Sequence, residues 1–91
     1  MLHELKIWPQ YYCRVADGSK TFEIRVNDRA FQSGDTVILK EWDPSPITVT
    51  DRAPKGYTES KPLEYTIGFI YILDGERVVF SLLPAKVKKK T

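Results

Sequence analysis

A lysine, a threonine, a glutamate and an arginine fall within six residues at Lys20, Thr21, Glu23 and Arg25, with Asn27-Asp28-Arg29 close behind. Phe22, Ile24 and Val26 alternate with Thr21, Glu23 and Arg25, so the segment reads as a strand with one greasy face and one chemically loaded face. A half-buried strand needs only polarity on its second face. This one offers a hydroxyl, a carboxylate and a guanidinium in a row. Such a row is either a solvated ladder of ion pairs or the wall of a polar ligand cleft. In a cleft, Arg25 would grip a phosphate or carbonyl while Glu23 accepts from a base N–H or orients a water. Lys20, at the head of the strand, is either a ligand or catalytic group or an exposed turn lysine of little consequence.

The remaining candidates are weaker. Asn27-Asp28-Arg29 is turn material, in which Asp28 is expected to cap the segment around Arg29 and Phe31, and Arg29 is a candidate phosphate contact. His3 is the single histidine, which excludes a metal site or triad built on several imidazoles. Cys13 is the single cysteine; it excludes an internal disulfide framework and is expected to be buried on a helix as a small hydrophobe. Trp8 and Tyr71 either stack on a base or fill the core. There is no Gly-rich phosphate loop, nucleophile elbow or carboxylate cluster with hard-metal spacing, so neither a cofactor nor a metal is expected.

These groups must be positioned by one small domain. At 91 residues the chain is too short for two independent cores, and 42% hydrophobic content argues against disorder. The net charge of +2 conceals an asymmetry: setting aside Lys86, Lys88, Lys89 and Lys90 leaves ten basic against 12 acidic groups in the body. Residues 1–85 are therefore read as the domain and 86–91 as a solvated Lys-rich tail. A body of this charge is not a broad phosphate sponge, and any nucleic-acid contact must be a focused patch. No apolar run approaches the roughly 20 residues of a membrane helix. With no export signal, no membrane partner is expected and the cytoplasm is the expected compartment.

Leu5 to Trp8 reads as a short strand. Pro9 suits the first position of a helix running through Asp17, with Gly18 ending it. Lys20 to Val26 is the second strand, and Ser33-Gly34-Asp35 signals a tight turn before a strand at Thr36 to Trp42. Asp43-Pro44-Ser45-Pro46 ends that strand. The segment to about Lys61 is turn-rich, with Ile47-Thr48-Val49-Thr50 its strand-like piece. Pro62 to Leu73 is a long strand bent at Gly68, and Asp74-Gly75 signals a two-residue hairpin into a last strand at Glu76 to Leu83. The expected class is mainly β (α+β): a small curved barrel of about five strands with one N-terminal helix.

The run His3-Glu4-Leu5-Lys6, the helix ending at Gly18, Lys20 to Arg25, Asn27-Asp28-Arg29, Phe31, Gly34-Asp35 and Glu41-Trp42-Asp43-Pro44 together resemble an ASCH-related family of small uncharacterised bacterial and phage domains in the PUA-like superfamily. Leu63 to Leu82 fits that family's closing pair of strands. Ser45 to Ser60 looks longer than the family's usual loop, and the Asp74-Gly75 hairpin shorter than its usual connection. The resemblance implies a PUA-like barrel whose cleft takes RNA or a nucleotide-like ligand. ASCH relatives include RNA-binding modules, an amidohydrolase that deacylates a modified cytidine, and a ribonuclease. In the amidohydrolase a lysine in a Gly-x-Lys-Thr context serves catalysis with a nearby threonine. Lys20 and Thr21 match that context, but the catalytic threonine position holds Glu23, which suits a general base on water better than a nucleophile. The placement of His3 in the family's opening segment makes it a candidate cleft contact, with an exposed terminal histidine as the alternative.

The leading expectation is thus an RNA- or nucleotide-binding module whose cleft uses Lys20, Thr21, Glu23, Arg25, Arg29 and His3. A second is a hydrolase of a modified nucleoside or of RNA, with Lys20 and Glu23 as catalytic pair. A third is a phage-type accessory protein that binds a host protein. Oligomeric state is left open.

Overall fold

The computed structural model describes residues 1–44 and 56–85. Six strands and one short helix follow in the order β1 (Leu2–Ile7), α1 (Pro9–Ala16), β2 (Phe22–Val26), β3 (Thr36–Asp43), β4 (Gly56–Tyr57), β5 (Leu63–Ile72) and β6 (Arg77–Pro84). They form one sheet in the order β1-β3-β5-β6-β2, with the short β4 paired to the end of β3. The protein is mainly β, as its alternating sequence predicts. The expected curved barrel is corrected to an open sheet: among the described residues β1 pairs only with β3 and β2 only with β6, which leaves them as its two edges. The strand-like piece expected at 47–50 and the Lys-rich tail at 86–91 lie outside the described residues.

β1 runs parallel to β3, a pairing that needs a long crossover; α1, β2 and the loop after it supply one. The other main pairings are antiparallel. Leu5, Ile7, Val37, Leu39, Ile67, Val78, Phe80 and Leu82 project from the strands into one core, joined by Val15 of α1 and Phe31 of the long loop. Pro9 opens α1, and its ring forces Trp8 into an extended conformation at the strand–helix junction. After α1 the chain doubles back through Gly18, at φ 87°, and the Lys20 amide donates to Arg14 O at 3.0 Å. That return delivers β2 to the sheet edge beside α1.

The bend expected at Gly68 is a register shift between Ile67 and Ile70 in the β5–β6 pair. A Cβ at Gly68 would stand 2.6 Å from Ser81 Oγ and 3.0 Å from Leu83 Cγ, so any other residue forces the Ser81 and Leu83 side chains of β6 to shift. The Asp74-Gly75 signal works differently from the two-residue turn it suggests. The Leu73 amide donates to Arg77 O at 2.9 Å, enclosing Asp74, Gly75 and Glu76. The Asp74 carboxylate accepts from the amides of Glu76 and Arg77 at 2.9 and 2.8 Å and from the Arg77 guanidinium at 2.7 Å. These bonds hold the Asp74 carboxyl at about 2, below its ordinary 3.8, with Arg77 as the largest cause.

Three further expectations are corrected. Cys13 is exposed on α1, because the helix turns only Val15 fully into the core. Tyr71 is exposed, since β5 outlasts the core beneath it. Asn27, not Asp28, caps the loop: its Oδ1 accepts from the Phe31 amide at 3.1 Å, while Asp28 is exposed and 3.8 Å from Arg29.

Candidate functional site

β2 is turned inside out. Phe22, Ile24 and Val26 are 41%, 48% and 53% exposed, whereas Glu23 is 5% exposed. The register explains why. Glu23 stands opposite Phe80 and Arg25 opposite Val78, and directly opposed residues share a face. Because Val78, Phe80 and Leu82 carry the core side of β6, Glu23 and Arg25 must point inward with them. A slip of one residue would return the apolar triad to the interior and expel the charges.

The inward charges meet the open seam between β2 and β1. Glu23 sits between two cations, with Lys20 Nζ 3.4 Å from its Oε2 and Arg25 Nε donating to its Oε1 at 3.3 Å. Arg25 then reaches across the seam and donates from Nη2 to Lys6 O at 2.7 Å. Further along, Arg29 Nη1 donates to Glu4 O at 3.2 Å. Two guanidinium groups thereby occupy edge carbonyls of β1 that a closing strand would otherwise bond.

Arg25 separates two hollows in this seam. The larger, about 410 Å³, is lined by Lys6, Ile7, Trp8, Tyr11, Lys20, Phe22, Glu23, Ile24 and Arg25. Its size falls in the range of roughly 300–1,000 Å³ typical of small-ligand sites. The smaller, about 310 Å³, involves Asp28, Arg29 and Phe31 and again Arg25. Trp8 and Tyr11 stack with centroids 6.3 Å apart at 17° between planes and form an aromatic wall. Lys20 Nζ lies 5.8 Å from the Tyr11 ring and 4.8 Å from the Phe22 ring. Three cationic side chains against one carboxylate leave the larger hollow net positive.

Glu23 is the electrostatic anomaly of the site. Among the described residues, its Oε2 is the buried side-chain oxygen that accepts no hydrogen bond. Lys20 holds it only as an ion pair at 3.4 Å, while the same ammonium donates to Phe22 O at 2.6 Å. The oxygen can therefore take a closer donor.

The structure thus brings Lys20, Glu23 and Arg25 together at one hollow. Thr21 is exposed outside both linings, its carbonyl taken by the Leu82 amide at 2.9 Å. Arg29 borders the smaller hollow only. His3 is neither a cleft contact nor an exposed terminus. It is 4% exposed, edge-on to Phe31, and donates from Nε2 to Asp35 Oδ2 at 2.8 Å. That bond is the largest cause of an Asp35 carboxyl held below its ordinary 3.8. Lys6, Tyr11 and the outward-facing Phe22 and Ile24 line the cleft without a sequence signal that assigns them to it, and Trp8, a candidate stacking group, lines it too. The usable signal for the aromatic wall was Trp8-Pro9 followed by Tyr11, since a tryptophan pinned before a helix start meets the residue three positions on.

Comparison with known proteins adds kinship without chemistry. Over 41 residues the chain is 44% identical to an "Uncharacterized 12.9 kDa protein in GpA 3'region" of Escherichia phage P2, a match covering 45% of this chain and 38% of that protein. The chain thus spans well under half the length of that relative. The sequence profile described as "Domain of unknown function (DUF3850)" matches residues 2–79, and the chain belongs to this family.

Proposed function

We propose that this protein is an RNA- or nucleotide-binding module that receives a nucleobase in the hollow between β1, β2 and the start of α1. The observation that carries the reading is one net-positive hollow lined by both the buried Glu23 carboxylate and the stacked Trp8 and Tyr11 rings. A base is flat enough to lie against Trp8 and carries edge N–H groups that a carboxylate accepts. On binding, Lys20 swings from Oε2 to a ligand phosphate and leaves the oxygen to the base. Arg25 keeps unused N–H donors for the sugar–phosphate. The ASCH-related, PUA-like kinship read from the sequence belongs to this proposal, with the open seam as its cleft.

The binding reading is put first because the aromatic wall and the net positive charge of the larger hollow suit a base and its phosphate. Lys20 and Glu23 remain the pair to test for turnover. The experiment is NMR titration with each of the four ribonucleoside monophosphates, following the Trp8 indole signal. Saturable shifts are expected, weakened about tenfold or more by Arg25→Ala, the loss of a charged hydrogen bond, with the nucleotide unchanged after long incubation. Turnover abolished by Lys20→Ala would move the site to the hydrolase class. No shift with any nucleotide, together with Lys20→Ala and Arg25→Ala variants that differ only in melting temperature, would leave the seam a structural device.

A further inference from the structure

A second aromatic and cationic cluster adjoins the hollow. Lys6, which lines the hollow, places its Nζ 4.5 Å from the Trp42 ring and 6.0 Å from the Tyr57 ring. Lys40 Nζ lies 5.5 Å from the same Tyr57 ring. The register puts these groups side by side. Lys6 is the parallel partner of Lys40, and Trp42, two residues further along the same face of β3, is the partner of Tyr57 on β4. Tyr57 is 59% exposed, so the platform is open to a ligand. Among the described residues, a carboxylate also reaches the cluster: Glu4 Oε1 lies 3.4 Å from Lys40 Nζ.

We infer that the Trp42–Tyr57 platform is a second, consecutive nucleotide subsite, so that the ligand is a single strand of at least two nucleotides and not a free nucleotide. This rests on the nucleobase reading of the first hollow. Ammonium groups beside exposed aromatic faces supply the two elements of a single-strand subsite, a stacking surface and a phosphate counter-charge. An incoming base takes the ring face, and the displaced lysine keeps its charge beside the phosphate that base brings. Lys6 touches both sites and is placed to hold the phosphate joining the two nucleotides. An acidic peptide would use Lys6 and Lys40 but would leave the Trp42 and Tyr57 faces unused. Single-stranded nucleic acid uses all four groups.

The test compares length and platform separately. Fluorescence anisotropy competition is run with ribonucleoside monophosphates and the corresponding di- and tetranucleotides, on the wild type, Tyr57→Ala and Tyr71→Ala. In the wild type the dinucleotide binds about tenfold or more tightly than the monophosphate, the gain of one stacked base, with a steeper salt dependence. Tyr57→Ala removes most of that gain and leaves monophosphate affinity within about twofold, as expected for a change outside the first hollow. Tyr71→Ala, exposed on the far half of the sheet, leaves the length dependence intact. Trp42→Phe, which keeps a ring in place, reports on the platform if Tyr57→Ala unfolds. Monophosphate binding with no gain from length overturns the second subsite and spares the first. Failure of every nucleotide to bind overturns both. Tighter binding of a poly-glutamate peptide than of the tetranucleotide, lost on Lys40→Ala, reassigns the platform to an acidic protein partner.

Discussion

β2 and β3 both alternate more and less buried positions along the strand, but they sort charged and apolar residues to opposite faces. In β3, Val37 and Leu39 are fully buried while Thr36, Ile38 and Lys40 turn outward. In β2 the charged residues go in and the apolar ones go out. β3 is flanked by β1 and β5, and its inner face meets the core. β2 has only β6 as a neighbour, and its inner face meets the seam to β1. Two inward carboxylates sharpen the contrast. Asp35, at the start of β3, accepts from His3 at 2.8 Å and from the Gln32 amide at 3.0 Å. Glu23 of β2 has one oxygen that accepts no hydrogen bond and is held by Lys20 as an ion pair at 3.4 Å. The Asp35 carboxylate is closed by its own neighbours, whereas that of Glu23 borders a hollow.

The largest expected effect comes from exchanging the logic of the two strands. Leu39→Ala should cost about 2–5 kcal/mol, as for other core leucines. Ile24→Ala, conservative in chemistry and similarly placed in an alternating strand, should cost under about 1 kcal/mol because Ile24 is already half exposed. Urea unfolding of the two variants decides the matter. Equal costs would mean that β2 pairs in the other register, with its apolar triad inside.

Next in size is Glu23→Ala. It leaves Lys20 and Arg25, both mostly covered, without their shared counter-charge. A loss of about 1–3 kcal/mol is expected, below the figure for a fully buried pair because both cations retain some water and an unmet oxygen is removed as well. Glu23→Gln tests the ligand role independently. It keeps the shape but turns half of an acceptor into a donor, so it should alter which nucleobase binds more than it alters the melting temperature.

Much of this arrangement was legible in the sequence. Pro9 and Gly18 bracketed α1, Gly68 marked the bend in β5, and the row Lys20, Glu23, Arg25 marked the hollow. The period-2 pattern of β2 gave two faces but could not say which was inside, because that depends on the β6 register and on what lies across the sheet edge. His3 was misread for a related reason. Its burial depends on Asp35, 32 residues away, and only the parallel β1–β3 pairing brings the two together. The platform at Trp42 was invisible because its partner strand β4 is two residues long and carries no period at all.

A smaller effect separates the satisfied carboxylate from the unsatisfied one by pH. The folded-state Asp35 carboxyl is held below 3.8, first by the His3 hydrogen bond. Its contribution to stability is therefore complete above that ordinary value and is lost as the pH falls through the lower folded value. Wild type and Asp35→Asn should differ in urea midpoint near neutrality and converge below pH 3.8. A difference that persists unchanged into strong acid would show that packing around His3 and Phe31, and not the Asp35 charge, holds the β1–β3 junction.

The smallest expected change in stability belongs to Arg77→Ala, at the loop that sets the β5–β6 register and so, through Arg77 opposite Val26, the far end of β2. The Asp74 carboxyl, held at about 2 chiefly by Arg77, should rise part of the way toward 3.8, because the Glu76 and Arg77 amides continue to donate to it. Asp74 and Arg77 are both well exposed, and an exposed pair of this kind contributes little to stability. The informative readout is therefore the register. If the amides alone shape the loop, Asp74 titrates upward while proton contacts between Glu23 and Phe80 persist, and β2 stays inside out. If those contacts vanish with the guanidinium, a surface ion pair at the hairpin is what keeps the Glu23 carboxylate in the seam, and the candidate site depends on a loop at the opposite end of the strand.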